Sequence, residues 1–126
     1  MNLNQVTVPA LDVAASIAFY QRLGLRLIVH THSAYARFEC PGGGTTFSIH
    51  QVDELPRGTG IVVYFECVDL DARVAALKAD GLVFESEPTD QSWLWREAYL
   101  RDPAGNRICL YFAGANRLNP PWRLNE

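Results

Sequence analysis

Long apolar runs are missing from this chain. Its densest stretch, Gly60 to Phe65, stops at Glu66, far short of the ~20 residues that a bilayer-spanning helix needs. No membrane partner is expected. Basic clusters are missing as well: 11 Lys and Arg stand against 14 Asp and Glu, for a formal net charge of −3. No run of cations could follow a phosphate backbone, so nucleic acid is not an expected partner either. The segment Met1–Pro9 has neither the basic head nor the apolar core of a secretory leader. Cysteine is scarce, with only Cys40, Cys67 and Cys109, and no CxxC or Cys/His ligand spacing. Reduced thiols in a cytoplasmic protein are the expectation.

What is present is ordinary globular material. The 126 residues, 48% hydrophobic and 20% charged, suit one domain with a core of its own.

The chain also repeats itself. An alternating segment, Leu3–Val8, leads to Asp12, an apolar-periodic stretch and then Gly24-Leu25. Later, Ile61–Cys67 leads to Asp69, a second periodic stretch and then Gly81-Leu82. Each Asp lies 12 residues before its Gly, and the copies are offset by 57. Asp12 and Asp69 are expected N-caps. Val13, Ile17, Tyr20 and Leu23 share one helical face, as do Leu70, Val74 and Leu77. Gly24 and Gly81 stand where a helix ends in the left-handed conformation. After the first helix, strands are expected at Leu25–Val29, Tyr35–Cys40 and Thr45–His50. After the second they are expected at Leu82–Glu85, Glu97–Arg101 and Arg107–Phe112. The spacing thus predicts an α+β fold of two tandem βαβββ modules. Module one covers about 3–50, a linker 51–59, module two about 60–112, and a C-terminal tail 113–126. Asn119-Pro120-Pro121 keeps that tail from continuing a helix or a central strand. Trp122 is costly to leave in water, so the tail is expected to dock on its own domain or on a partner subunit.

These residues resemble a known superfamily. Leu3-Asn4-Gln5-Val6-Thr7-Val8-Pro9, Asp12-Val13 and Phe19-Tyr20…Leu23-Gly24-Leu25 look like the first module of vicinal oxygen chelate proteins, the glyoxalase, bleomycin-resistance and extradiol dioxygenase superfamily. Arg101-Asp102-Pro103-Ala104-Gly105-Asn106 resembles its last hairpin, and with Trp95-Arg96-Glu97 it is similar to the bleomycin-resistance branch. The resemblance implies curled mixed sheets around a cavity, within a chain or across a homodimer. Enzymes of the superfamily hold one divalent metal there, with one ligand from the first and last strand of each module; a metal-free branch sequesters drugs.

Carried onto this sequence, the implied metal positions are Gln5, Ser48, Val62 and Cys109. Val62 cannot ligate, neutral Ser48 seldom does, and Cys109 prefers soft metals. Gln5, His50 and Glu66 remain as an unconventional alternative for one Zn, Ni, Fe or Mn ion; no metal or other cofactor is the expectation. The period of two along a strand lines the same face with Gln5, Thr7, Ser48, His50, Val62, Tyr64, Glu66, Cys109 and Tyr111, the aromatic and polar mixture of a small-molecule pocket. Arg37 and Arg96 are candidate partners for Glu66 or for an anionic ligand. Trp95, in the loop Thr89–Arg96, is a candidate for stacking on a planar one. Cys109 is expected to be a packed, inert thiol. The expected function is metal-free binding of a small molecule. A metal-dependent lyase, isomerase or dioxygenase acting on vicinal oxygens is the alternative.

Overall fold

The computed structural model describes residues 1, 3–58 and 60–124. These residues form two compact units. The first holds Met1–Gly60 together with the turn Asp102–Asn106, and the second holds Ile61–Arg101 and the chain from Arg107 onward. No helix among the described residues is long and apolar enough to cross a membrane.

The first unit contains β1 (Gln5–Ala10), α1 (Val13–Arg22), β2 (Arg26–Thr31), β3 (Tyr35–Glu39) and β4 (Thr46–Gln51). Its sheet runs β1-β4-β3-β2, with β1 parallel to β4 and the remaining pairs antiparallel. Asp12 caps α1 as expected, its carboxylate accepting the Ala15 N–H at 3.0 Å. Gly24 follows the helix at φ 100°, a conformation that costs a side-chain-bearing residue about 1–2 kcal/mol. Val13, Ile17 and Tyr20 of the helix are buried with Val8, Phe38, Phe47 and Ile49 of the strands. The Tyr20 ring lies 4.6 Å from that of Phe47 and 5.8 Å from that of Phe38. β1 runs two residues beyond the expected Val8, because its pairing with β4 continues through Pro9 and Ala10. Pro9 is tolerated there since β1 is an edge strand.

A buried carboxylate ties the turn Asp102–Asn106 into this unit. Asp102, 4% exposed, accepts the Tyr20 hydroxyl at 2.7 Å, the Ala104 and Asn106 N–H groups at 3.0 and 2.8 Å, and the Asn106 amide at 2.7 Å. The same Asn106 amide nitrogen donates to the Pro9 carbonyl at 2.8 Å. Burial and the neighbouring Asp102 charge hold the Tyr20 phenol far above its ordinary range.

The second unit contains β5 (Val62–Glu66), α2 (Leu70–Ala79), β6 (Thr89–Asp90), β7 (Arg96–Arg101) and β8 (Arg107–Phe112), followed by a short 3-10 turn at Gly114–Arg117. Its sheet runs β5-β8-β7-β6, with β5 parallel to β8. Leu70, Val74 and Leu77 of α2 are buried, as are Ala98, Leu100, Ile108 and Leu110 of the sheet. Gly81, at φ 96°, ends α2 as Gly24 ends α1. The duplicated module is therefore real, with helices at residues 13–22 and 70–79.

Three local expectations are corrected. Asp69 makes no side-chain cap bond, and the acidic residue of the first turn of α2 is Asp71. Residues 82–85 form only an isolated bridge, Phe84 to Leu100, and the edge strand is Thr89–Asp90, in a segment expected to be loop. The reason lies partly outside the segment: the Ser86 hydroxyl takes the Tyr99 N–H at 3.0 Å, and Pro88 has no N–H to give to a ladder. Finally, the sheets do not close; each is an open four-stranded sheet.

Candidate functional site

Away from its helix, each sheet presents a second face, and the two faces differ in chemistry. In the first unit the strand register sets Gln5 beside Thr46, Thr7 beside Ser48, and Ser48 beside Arg37. Gln5 donates to the Ser48 hydroxyl at 2.5 Å, the Thr7 and Ser48 hydroxyls are 2.6 Å apart, and Thr46 donates to the Gln5 carbonyl oxygen. Ser48 is fully buried under this network. Arg37 Nε donates to the Tyr35 hydroxyl at 2.9 Å. Hydrogen bonding with Ser48 is the largest influence and lowers the Tyr35 phenol; burial opposes it, and Arg37 adds to the lowering. His50 stands opposite Tyr35 at the end of β4 and is exposed. Gln5, Thr7, Arg37, Ser48 and His50 thus share one sheet face, as the period of two predicts; Thr46 and Tyr35 were not foreseen there.

The matching face of the second unit is aromatic. Tyr64 lies beside Cys109, and Glu66 beside Tyr111. Trp95 stacks on Tyr111, with centroids 4.6 Å apart and planes 15° apart. Tyr64 meets both edge-on, at 5.6 Å from Tyr111 and 5.9 Å from Trp95. Cys109, Tyr111 and Ala113 form the buried centre, with Val62, Trp95 and Tyr99 packed on it. Tyr64 remains 43% exposed, so one edge of the cluster faces solvent.

A carboxylate sits within this wall. Glu97 is 2% exposed, and it accepts the Trp93 indole N–H and the Tyr99 hydroxyl, each at 3.0 Å. Tyr99 continues toward Tyr64, their hydroxyls 3.4 Å apart. The Arg107 guanidinium lies over the Tyr99 ring, 4.0 Å from its centroid. Burial, with the hydrogen bonds to Tyr64 and Glu97, raises the Tyr99 phenol far above its ordinary range. Burial first, and the Glu97 charge second, push the Cys109 thiol up to about 12. Such a thiol stays protonated near neutrality and is a poor nucleophile.

Two sequence-derived assignments fail. Arg96 does not join the aromatic wall. As the neighbour of Glu97 it points to the opposite face of β7, where it donates to the two Asp71 oxygens at 2.8 and 3.0 Å and to Asp90 at 3.0 Å. Glu66 pairs with neither Arg37 nor Arg96. It accepts the N–H groups of Ala113 and Gly114, both at 3.0 Å, and lies 3.9 Å from Arg117. It anchors the start of the C-terminal segment. Trp93 stands in the loop Thr89–Arg96 that the sequence places over the pocket, while Glu97, Tyr99 and Arg107 were missed, although the alternation of Trp95 with Glu97 and Tyr99 of β7 carried the signal.

The donor chemistry does not fit a divalent metal. Gln5 uses both ends of its amide on Ser48 and Thr46, Val62 has no donor atom, and Cys109 offers a buried sulfur that suits soft metals. Of the alternative ligands, Glu66 is committed to backbone N–H groups. Among the described residues, no three His, Cys, Asp or Glu side chains gather in a group able to hold an ion.

A family model described as "Glyoxalase/Bleomycin resistance protein/Dioxygenase superfamily" matches residues 2–110. No match was found among the curated proteins. Among solved structures, a glyoxalase/bleomycin resistance protein/dioxygenase from Nocardioides is 25% identical with a TM-score of 0.76, covering 99% of this chain and 90% of that one. Lactoylglutathione lyase from Agrobacterium tumefaciens is 19% identical with a TM-score of 0.73, covering 88% and 92%. A bleomycin-binding protein complexed with bleomycin is 20% identical with a TM-score of 0.71, covering 89% and 98%. At these last two identities the likeness is one of fold.

Proposed function

This chain belongs to the glyoxalase/bleomycin resistance protein/dioxygenase superfamily, and we propose that within it the protein binds a small planar, positively charged molecule without a metal. One observation carries the reading: in the second unit, ring faces and the buried Glu97 carboxylate occupy the wall from which metal donors are missing. Stacked indole and phenol rings favour a flat apolar ligand, and their negative faces favour a cation. Glu97 adds a formal charge in surroundings of low dielectric, where an opposite charge interacts more strongly than in water. Burial and the Glu97 charge push the Cys109 thiol up to about 12, which makes it a poor nucleophile, and the wall's rings and carboxylate suit sequestration of a ligand. A fold neighbour complexed with bleomycin supports small-molecule binding in this fold.

A thermal-shift screen of planar cationic compounds tests this, run with chelator and again with added Zn, Ni, Mn or Fe. A ligand at a hundredfold excess over its dissociation constant adds about 2.7 kcal/mol of stability. Hits that persist in chelator support the proposal; hits that appear only with metal refute it.

A further inference from the structure

Glu97 is engaged before any ligand arrives. It is 2% exposed; its Oε2 accepts the Trp93 indole N–H and its Oε1 the Tyr99 hydroxyl, each at 3.0 Å. Both donors are neutral, so neither supplies the carboxylate with a countercharge. The Arg107 guanidinium over Tyr99 answers Glu85 instead, at 3.7 Å. A ligand cation therefore reaches Glu97 by taking the place of one of its donors.

The two donors are held with unequal firmness. Tyr99 belongs to β7 and packs on the buried centre of Cys109, Tyr111 and Ala113, with Arg107 4.0 Å from its ring centroid. Trp93 is 45% exposed, and Leu94 after it 47%. Both stand between β6 and β7 in a loop closed by its own backbone: Gln91 N–H donates to the Trp95 carbonyl at 2.8 Å, and Leu94 N–H to the Gln91 carbonyl at 3.0 Å. Leu94 lies at φ 67°, in the left-handed region that strains a residue with a side chain. Such strain gathers at ligand clamps and switches. The loop is anchored on both sides, by Asp90 paired with Arg96 and by Trp95 stacked on Tyr111. Trp93 is thus the donor free to leave.

Building on the reading that this wall binds a planar cation, we propose that Trp93 sets which cations it takes. An N–H of the ligand replaces the Trp93 indole N–H on Glu97, so the wall selects planar cations that carry N–H donors, of the amidinium and amino-heteroaromatic class, over quaternary ones. A charged N–H on a carboxylate forms a bond roughly twice as strong as a neutral one, so the exchange is favourable. A quaternary nitrogen has no hydrogen to offer. Displacing Trp93 for it would strand a buried carboxylate oxygen, so such a cation stacks on the rings and leaves Trp93 in place.

Fluorescence titration in chelator with two flat tricyclic cations tests this: proflavine, which carries ring and amino N–H groups, and N-methylacridinium, which carries none. The wild type is expected to bind proflavine about tenfold or more tightly than N-methylacridinium. Trp93→Phe removes the competing donor and is expected to tighten proflavine about fivefold while leaving N-methylacridinium unchanged. In the wild type, the Trp93 indole N–H is expected to exchange faster with solvent when proflavine is bound. Equal affinities for the two probes, or proflavine binding unchanged or weakened in Trp93→Phe, would overturn this inference and leave the planar-cation reading standing. If neither probe binds, that reading falls and the inference falls with it.

Discussion

Removing the Tyr20 hydroxyl isolates one bond of the network that ties the turn Asp102–Asn106 to α1. In Tyr20→Phe the ring keeps its place against Phe38 and Phe47, and only the 2.7 Å bond to Asp102 is lost. A hydrogen bond to a buried charged group contributes about 1.5–3 kcal/mol. Asp102→Ala removes more, because the Tyr20 hydroxyl and the Ala104 and Asn106 N–H groups lose their acceptor together. Its cost is roughly 3–5 kcal/mol, from stranded donors at about 1–3 kcal/mol each and partial rescue by water. In the double variant the shared bond is counted once, so the two costs fall short of additivity by about 1–3 kcal/mol. Urea unfolding of all four proteins, followed by circular dichroism, measures the cycle. Strict additivity would show that Tyr20 and Asp102 do not act on each other, and the account of how the turn is held would be wrong.

Alkaline stability follows from Cys109. Its folded pKa is raised, so its contribution is complete below pH 9, where an unfolded thiol is still protonated, and is lost as pH climbs toward about 12. Cys109→Ala is expected to flatten the stability profile over that window; an unchanged slope would contradict the assignment. The same thiol is expected to resist alkylation at pH 8 in the native protein and to react on unfolding. Glu66→Ala should release the Ala113 and Gly114 amides, speeding their hydrogen exchange while leaving that of β8 unchanged. Equal exchange at Ala113 and Gly114 in both proteins would show that Glu66 does not anchor the segment.

The duplicated module was legible because helix and turn signals are local. A cap at Asp12, a left-handed Gly24 or Gly81 and the intervening apolar period each sit within a few residues of one another. Strand β8 was read at its exact bounds for the same reason, lying between a tight turn and the chain's next glycine. The segment 82–90 was misread because the choice between strand and loop there depends on Ser86 meeting Tyr99, a contact 13 residues away. Face parity placed Gln5, Thr7 and Ser48 correctly, since alternation is a property of the strand alone. It could not find the partner of Glu66, which lies in backbone N–H groups 47 and 48 residues downstream. Arg96 shows the same limit from the other side: one step along β7 separates the aromatic wall from the α2 face.

On the proposed function, Glu97 and its surrounding rings, rather than a metal, recognise the ligand. Calorimetric titration of a planar cationic binder into chelator-treated wild type and Glu97→Gln tests it most directly. The account predicts wild-type affinity indifferent to added Zn, Ni, Mn or Fe, and a loss of about tenfold or more in Glu97→Gln, from a charge pairing worth at least about 1.4 kcal/mol. Binding that requires the metal, or that survives Glu97→Gln unchanged, would contradict it.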